Sequence, residues 1–460
     1  MNFSDLKHAR RKLSGSGQVV VLDTGALITA EADAMLQALH SRSIAGIDSH
    51  LVKLTQRGAE NFMSTYYVGY GDKSIGDCGT TTIFIEGVSM LVAKAIQDSQ
   101  LYNGQESSTR YIDYTNQPFA NPSGSDEGKE LLESLRSFYL EGLSVMKEEL
   151  VKRHPQGPDE DEKLWKKAIN ARAFDVMRSF LPAGAATNLA WHTELRHAAD
   201  HLIRLRNHPL EEVRAVAGAM QDALDEMYPS SFKQKRYEAT EQYTSDWMKE
   251  IYYFDFKNNE VPNSFFPTVV MERDAVDRIL LKEYSNVLKN RPIKTEPPKF
   301  LAECGDVRFS FFLDFGSYRD LQRHRAVIQR MPLLTDKWGF HRWYLEQMPK
   351  ALYDKTFNFL AIYREEVKNL NLDPVVAQYY MPMGYQVACR VTGDLPALIW
   401  LIELRSGIHV HPTLRRIAQD MGSILREQFK DYDFKLYIDM SEDRFNYKRG
   451  TQDIIEKVGV

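Results

Sequence analysis

Apolar residues recur along the chain in two spacings, which predict short strands and longer helices. Runs of β-branched and aromatic residues favour strands, because these side chains pack well on a pleated surface. Apolar residues three or four positions apart favour helices that bury one face. The predicted strands are 19–22, 80–85 and 309–313. The predicted helices are 31–65, 88–97, 131–154, 161–179, 188–206, 269–289, 318–329, 342–370 and 394–405.

Polar segments rich in turn-forming residues separate these elements. Residues 69–74 and 114–130 are rich in Gly, Pro, Ser or Asn, and we expect them to form surface loops. Residues 229–267 are polar and aromatic with weak periodicity, which is typical of a connection between domains. The chain is therefore expected to divide near its middle.

Several short sequences of the first half return in the second half in the same order. The pairs are Cys78-Gly79 and Cys304-Gly305, Leu181-Pro182 and Met381-Pro382, Leu205-Arg206 and Leu404-Arg405, and His208-Pro209 and His411-Pro412. Ordered recurrence of this kind indicates an internal duplication. We predict tandem repeats at 1–235 and 263–460, joined by 236–262.

Composition narrows the class of protein. The 460 residues are 43% hydrophobic, which suits a globular protein of two or three domains. Charges of 58 Lys and Arg against 63 Asp and Glu are spread along the chain, so an extended nucleic-acid surface is not indicated. The three dispersed cysteines suggest a reducing compartment. Because no apolar run approaches the ~18 residues of a membrane span and no secretory signal is evident, we expect a cytoplasmic protein.

Motifs of the first half resemble those of a known enzyme family. Ile85-Glu86-Gly87-Val88-Ser89 precedes Glu106-x-Ser108-x-Arg110-Tyr111. Further on, Arg178 opens Arg-x-x-Leu-Pro, and a later helix ends in Leu205-Arg206. This half resembles the flavin-dependent thymidylate synthases (ThyX), whose signature is R-H-R-x-x-S-x-N-E-x-S-x-R followed by Tyr.

The signature is divided between the two halves. In the first half, Asp-Ser-Gln at 98–100 replaces Arg-His-Arg, and Asn103 and Gln105 replace the Ser and Asn of the motif. In the second half, Arg323-His324-Arg325 is intact, but Arg330-Met331, Leu333 and Thr335 replace the later motif residues. The complementary losses predict one composite site shared between the repeats.

The resemblance implies a fold and a chemistry. The fold would be α+β, with each repeat a small mixed sheet packed against long helices. The cofactor would be FAD, and the reaction would be reductive methylation of dUMP, with methylenetetrahydrofolate as carbon donor and NADPH as reductant. Since ThyX sites lie between subunits of a tetramer, a homodimer of this duplicated chain would imitate that tetramer.

The resemblance also assigns roles to residues of this chain. Planar, permanently charged arginines suit phosphate groups, and an arginine beside uracil N3 favours the anionic ring. The implied catalytic residues are Arg206 and Arg405. The implied substrate-binding residues are Glu106, Ser108, Arg110, Arg178 and Arg323. The implied cofactor-binding residues are Arg323, His324, Arg325, Ser74 and His201.

Alternatives remain at this stage. Arg206 would equally suit a helix end, where it caps carbonyl groups or reaches water. Arg323-His324-Arg325 would suit a solvated basic helix face, and His201 an ordinary helix position. For the whole chain, the alternatives to a dUMP methylase are a ThyX-derived flavoenzyme that modifies another pyrimidine or a nucleic-acid uracil, and a non-catalytic descendant that binds nucleotide or flavin.

Overall fold

A computed structural model gives the fold of most of the chain. The structure describes residues 7–14, 17–23, 25, 29–42, 52–53, 56, 77–109, 112–233, 235–254, 269–432 and 435–441. Two predicted site residues, Ser74 and Arg110, lie outside the described residues. Within the described part, no helix has the length and apolar character needed to cross a membrane.

Strands and helices alternate along the described chain. The strands are β1 (His8–Lys12), β2 (Gln18–Leu22), β3 (Thr80–Ser89), β4 (Asn103–Glu106), β5 (Ala186–Glu194), β6 (Val269–Asp274), β7 (Asp306–Asp314), β8 (Ile328–Arg330) and β9 (Gln386–Asp394). The helices are α1 (Ala30–Arg42), α2 (Met90–Gln97), α3 (Asp126–Arg153), α4 (Glu162–Met177), α5 (Leu195–Arg206), α6 (Glu211–Met227), α7 (Pro229–Phe232), α8 (Glu238–Ile251), α9 (Arg278–Lys289), α10 (Phe315–Leu321), α11 (Arg342–Gln347), α12 (Lys350–Asn369), α13 (Pro374–Ala377), α14 (Leu395–Ser406) and α15 (Pro412–Gln428). Short 3₁₀ turns occupy Arg178–Phe180, Lys299–Cys304, Gln378–Tyr380 and Lys430–Tyr432.

The first compact unit comprises residues 1–120 and 184–252. Its sheet has the strand order β1-β2-β3-β5-β4, and each pair is antiparallel. Helix α6 packs on β1 and β2 and contributes Ala217, Met220 and Leu224, all fully buried. A bulge interrupts β3 at Gly87, whose φ of 66° is a left-handed conformation that glycine adopts without strain. The left-handed backbone at this bulge therefore explains why the motif at 85–89 contains a glycine.

The second compact unit comprises residues 121–183 and 253–460. Its antiparallel sheet has the order β6-β7-β9-β8, with α15 packed on β6 and β7. Helices α3 and α12 pack together, where the rings of Phe138 and Phe359 stack at 4.2 Å between centroids.

Backbone hydrogen bonds attach residues 178–183 to the second half of the chain. The Gly384 N–H donates to the Ser179 carbonyl at 2.8 Å, and the Met383 N–H donates to the Leu181 carbonyl at 2.9 Å. A Cβ at position 384 would lie 2.8 Å from Cβ of Ser179 and 2.3 Å from the Phe340 ring, so only glycine allows this approach. These contacts place Arg178, from the first half of the sequence, within the second unit.

The two sheets contain the same succession of elements. A 3₁₀ turn, a strand and a 12-residue helix begin at 178, 186 and 195 in the first half and at 378, 386 and 395 in the second, an offset of 200 residues. The strand before each helix pairs with β3 or β7, respectively. This likeness agrees with an internal duplication and confirms the α+β class with two small sheets.

Three predicted helices and the mixed sheet are corrected. Residues 186–194 of the predicted helix 188–206 form β5, in which burial alternates between neighbours, as expected for a strand. The predicted helix 269–289 begins as β6, and α9 starts only after Asp277, whose side chain caps it. The predicted helix 318–329 ends at Leu321 and continues as a turn and β8. The described strand pairs are all antiparallel, so the mixed sheet that the resemblance implied is wrong.

Contacts group the chain differently from the predicted repeats. Residues 121–183 belong to the second unit, although they lie inside the predicted repeat 1–235. Helix α8 occupies part of the segment 236–262 that was expected to be a connection. Compact units report which segments pack together, whereas the repeat boundaries concern duplication, and those boundaries stay a prediction.

Candidate functional site

Arg178 is the most deeply buried of the predicted anion-binding arginines that the structure describes. It opens the 3₁₀ turn after α4, and only 6% of it is exposed. Its Nη2 donates to the Ser317 Oγ at 3.3 Å, while its Nε is buried and has no hydrogen-bond partner among the described residues. A buried guanidinium with an unused donor is costly unless an anion approaches it. Arg178 is therefore placed as an anion-binding group needs to be.

Asp314 supplies part of the charge that balances Arg178. It ends β7, is completely buried, and accepts hydrogen bonds at Oδ2 from the Ser317 N–H and the Tyr344 hydroxyl, both at 2.8 Å. Burial would raise the pKa of Asp314, but nearby His411, His341 and Arg178 hold the pKa below its usual value. The carboxylate is therefore ionised beside Arg178.

Asp320 lies beside Arg323 and within the electrostatic influence of three further arginines. Burial would raise the pKa of its carboxyl, but Arg323, Arg405, Arg178 and Arg319 together lower that pKa. The Nε of Arg323 lies 3.5 Å from Oδ1 of Asp320. We call Arg178, Arg319, Arg323 and Arg405 around Asp320 the arginine cluster. All its members lie in the second unit.

The Arg-His-Arg sequence lies in a turn rather than on a helix. It follows α10 and precedes β8, and His324 is only 7% exposed, so a solvated basic helix face is wrong. Arg405 Nε donates to His324 Nε2 at 2.6 Å, so the neutral ring carries its proton on Nδ1. Burial, with the charges of Arg405, Arg323 and Arg325, lowers the pKa of His324 to about 3. His324 is therefore neutral at physiological pH.

Arg405 and Arg206, predicted to be equivalent, have different partners. Arg405 is the eleventh residue of α14, and Arg206 is the twelfth residue of α5. One residue rotates a side chain by about 100° around a helix. Arg206 donates to Gln221 Oε1 at 2.8 Å and to Glu241 Oε1 at 2.6 Å. In the described structure, Arg206 is thus held by its own unit, whereas Arg405 belongs to the arginine cluster.

Glu106 is the last residue of β4 in the first unit, and Ser108 lies two residues further along the chain. Glu106 Oε2 accepts from Gln97 Nε2 at 2.8 Å, and Oε1 accepts from the Thr187 hydroxyl at 3.5 Å. Ser108 is partly buried two residues beyond the strand. Glu106 is therefore fixed by neighbours from α2 and β5.

His201 occupies a core position of α5. Its Nε2 lies 3.0 Å from the Ile96 carbonyl, and its ring meets the Trp191 ring edge to face at 5.4 Å. Its Nδ1 is buried without a hydrogen-bond partner among the described residues. Burial lowers the pKa of His201 to about 4. The ring is thus a neutral core group in this structure.

A lysine occupies the first unit where the motif arginines are missing. Lys94 is 6% exposed, and its Nζ lies 3.4 Å from Asp98 Oδ2 and 3.3 Å from the Tyr252 hydroxyl. Asp98 stands at the position of the first motif arginine. The positive charge of Lys94 is balanced by Asp98. We therefore place the candidate anion site in the second unit.

Sequence reasoning missed the two aspartates of the site. Asp320 lies three residues before Arg323, a spacing that brings side chains together on one face of a turn or helix. Asp314 gave a weaker signal, since it only ends an apolar strand. Three predicted residues, Arg178, Arg323 and Arg405, are brought together around these acids, with His324 beside Arg405.

One further group has metal-ligand chemistry. The ligand atoms of Asp77, Glu194 and His197 all lie within 4.8 Å of one another in the first unit. Both carboxylate oxygens of Asp77 are already paired with Arg196. A bound cation would have to displace that guanidinium, so this group is a poor metal centre.

Comparison with known proteins gives relatives for both halves of the chain. Residues 26–230 match the family model described as thymidylate synthase complementing protein. A UPF0159 protein of Chlamydia muridarum is 26% identical over 444 residues, which cover 84% of this chain and 82% of the relative. A UPF0159 protein of Chlamydia pneumoniae is 25% identical over 420 residues, covering 78% and 77%. One of Thermoplasma acidophilum is 22% identical over 478 residues, covering 86% and 91%.

Each of these three matches is longer than one half of this chain. The relatives therefore contain counterparts of both halves. The family model covers the motifs at 85–89 and 106–111 and the buried Arg178. Residues 26–230 are therefore similar to the thymidylate synthase complementing protein family, and this similarity is consistent with a divergent ThyX-like protein.

Proposed function

We propose that this chain is a ThyX-like flavoenzyme whose arginine cluster binds a pyrimidine nucleotide, with Arg178 and Arg323 at the phosphate and Arg405 at the pyrimidine ring. The reaction is reductive methylation of dUMP or a related pyrimidine, with methylenetetrahydrofolate as carbon donor and NADPH as reductant. The observation that supports the proposal is the group of Arg178, Arg323 and Arg405 near Asp320, where their charges lower the pKa of the Asp320 carboxyl and the Arg323 Nε lies 3.5 Å from its Oδ1. The family resemblance implies that Arg178 and Arg323 bind the substrate and that Arg405 is catalytic.

The charge of the cluster suits a phosphate. Four arginines share it with Asp175, Asp314 and Asp320, which leaves a surplus of one positive charge before a ligand binds. A phosphate monoester carries about −1.5 to −2 charges at pH 7. Guanidinium groups bind such oxygens through charge-assisted hydrogen bonds, and the buried Nε of Arg178 has a donor to offer.

The origin of the arginines supports a composite site. Arg178 comes from the first half of the sequence, and Arg323 and Arg405 come from the second. A duplicated gene can keep one site and lose its counterpart, because either half is free to change where the other supplies the residue. Glu106, Ser108 and Arg110 complete the site in this proposal, and a homodimer imitating the ThyX tetramer provides the remaining contacts.

The residues of the Arg-His-Arg turn suit a flavin. Arg323 is half exposed, so it offers guanidinium donors to a pyrophosphate, and Arg325 adds a second positive charge in the same turn. His324 is neutral and buried, which suits the edge of an uncharged ring. In this proposal Ser74 and His201 extend the FAD site. When bound, FAD supplies hydride chemistry that no side chain offers.

Arg405 has the role of stabilising the pyrimidine anion. A guanidinium beside N3 of uracil favours loss of the N3 proton, which makes C5 a better nucleophile. Arg405 is preferred over Arg206 because Arg206 is paired with Glu241. Burial lowers the pKa of Arg405, and its Nε is oriented by His324.

Activity measurements test this proposal. The full chain with FAD, NADPH and methylenetetrahydrofolate should oxidise NADPH only when dUMP is present and should form dTMP. Arg323→Ala removes one phosphate contact and should lower kcat/KM by about 10- to 100-fold, since such contacts contribute ~1.5–3 kcal/mol. The matched control is Arg342→Ala on α11, whose side chain is 86% exposed.

Other outcomes identify the alternatives. A bound, reducible flavin without dUMP turnover would favour another pyrimidine or a nucleic-acid uracil as substrate. Nucleotide binding without redox activity would favour a non-catalytic descendant. A chain that binds neither flavin nor pyrimidine nucleotide, with Arg323→Ala behaving as Arg342→Ala, would contradict the proposal.

A further inference from the structure

The ion pair of Asp320 with Arg323 is loose. Their nearest atoms are 3.5 Å apart, and half of the Arg323 side chain is exposed. Charge-assisted hydrogen bonds between such groups are usually about 2.7–2.9 Å long. Separating this pair should therefore cost little.

The ion pair of Arg206 with Glu241 in the first unit is tighter. Arg206 donates to Glu241 at 2.6 Å and to Gln221 at 2.8 Å, and its side chain is 14% exposed. Its donors are already used within the unit. The contrast indicates that Asp320 leaves Arg323 available, whereas Glu241 does not leave Arg206 available.

Asp320 also reduces repulsion within the arginine cluster. Guanidinium cations gathered around one carboxylate repel one another, and the repulsion is stronger where water is excluded. The arginines whose charges act on Asp320 come from four places: Arg319 from α10, Arg323 from the turn after it, Arg405 from α14 and Arg178 from the 3₁₀ turn. An incoming phosphate would bring more negative charge to the same donors.

We propose that Asp320 is an internal counter-ion that competes with the incoming phosphate for the arginine cluster and so sets the affinity of the site for anions. This inference rests on the proposed function, because it requires that the cluster bind an anion. Without ligand, Asp320 stabilises the gathered arginines. With ligand, it repels the phosphate oxygens, so binding of a bare phosphate is weakened and the rest of the nucleotide must contribute.

The test compares binding of inorganic phosphate by the full chain and by Asp320→Asn. Asparagine keeps the size of the side chain and removes its charge. The dissociation constant for phosphate should fall by roughly tenfold, the effect expected of one unit charge near a partly exposed site. In phosphate-free buffer, Asp320→Asn should melt at a lower temperature than the unmodified chain, and added phosphate should raise its Tm more.

Two further variants control for charge and folding. Asp354→Asn removes an exposed carboxylate of α12 and should leave phosphate affinity unchanged. Asp320→Glu keeps the charge and should bind phosphate with nearly the original affinity. If Asp320→Asn is unfolded without phosphate, phosphate should restore its folding.

The outcomes separate the two proposals. If the unmodified chain binds phosphate and Asp320→Asn binds it no more tightly, or cannot be refolded by it, Asp320 does not compete, and only this inference is lost. If the unmodified chain does not bind phosphate, the arginine cluster is not an anion site, and both proposals are lost.

Discussion

Replacing Asp314 with asparagine should strongly destabilise the second unit. The carboxylate is completely buried and accepts hydrogen bonds from Ser317 and Tyr344 beside the guanidinium of Arg178. Asparagine retains a hydrogen-bond acceptor but loses the charge. Each of the two bonds should weaken by about 1 kcal/mol, the difference between a charged and a neutral acceptor.

A further cost comes from Arg178. Its buried guanidinium loses one of three nearby carboxylates and keeps Asp175 and Asp320, so this cost is smaller than that of breaking an isolated buried ion pair. We therefore expect Asp314→Asn to lower the free energy of unfolding of the second unit by about 2–4 kcal/mol near neutral pH. Since the pKa of Asp314 is depressed in the folded chain, its contribution is present above the unfolded pKa of about 3.9 and is lost as pH falls through the folded value.

A double-mutant cycle tests this origin. If the cost of Asp314→Asn reflects the remaining Arg178 charge, the double variant with Arg178→Met should cost about 1–3 kcal/mol less than the sum of the single variants. The assay is urea unfolding followed by circular dichroism and by tryptophan fluorescence, with separate transitions fitted for the two compact units. Asp354→Asn is the control and should change stability by no more than about 0.5 kcal/mol. Strictly additive costs would refute the reasoning.

Three further predictions concern other parts of the chain. The pKa of His201 is lowered to about 4 in the folded chain, so the unfolded chain binds more protons at this residue below about pH 6.5. The free energy of unfolding should therefore fall from pH 6.5 towards pH 4. In urea titrations at several pH values, His201→Gln should reduce that slope by up to ~1.4 kcal/mol per pH unit. Arg206→Met should leave Glu241 without its cation and cost about 1–3 kcal/mol by urea unfolding, while leaving phosphate affinity unchanged; a weakened affinity would instead assign Arg206 to the anion site. Asp394→Ala should cost about 1 kcal/mol in the same assay, because the side chain caps α14 through the Ala397 N–H; an unchanged Tm would show that the cap contributes nothing.

Some elements follow from local sequence. The strand at 80–85 and the helices after Ser89 and Asp394 were predicted within a few residues, because burial periodicity and side-chain caps are encoded locally. The segment 186–194 was mistaken for helix, because Leu189, Ala190 and Trp191 form a continuous apolar run whose period is ambiguous. Pairing with β3 and β4 decides that it is a strand.

The candidate site was predicted as a set of residue types rather than as a place. Motif spacing identified Arg178, Arg323 and Arg405, since guanidinium groups at those positions match a known signature. It gave no reason to select Asp314 or Asp320, because a single aspartate in a sequence carries no information about which charges surround it. Their significance comes from burial and neighbouring arginines.

The sequence by itself determined the α+β composition, the recurrence of its motifs and the arginines suited to phosphate. These properties depend on residues close together in the chain or on a pattern that survives without coordinates. Only the tertiary structure decided that 121–183 packs with the second half and carries Arg178 to Asp320. Contacts between residues more than a hundred positions apart depend on packing of whole elements, and local periodicity does not encode them.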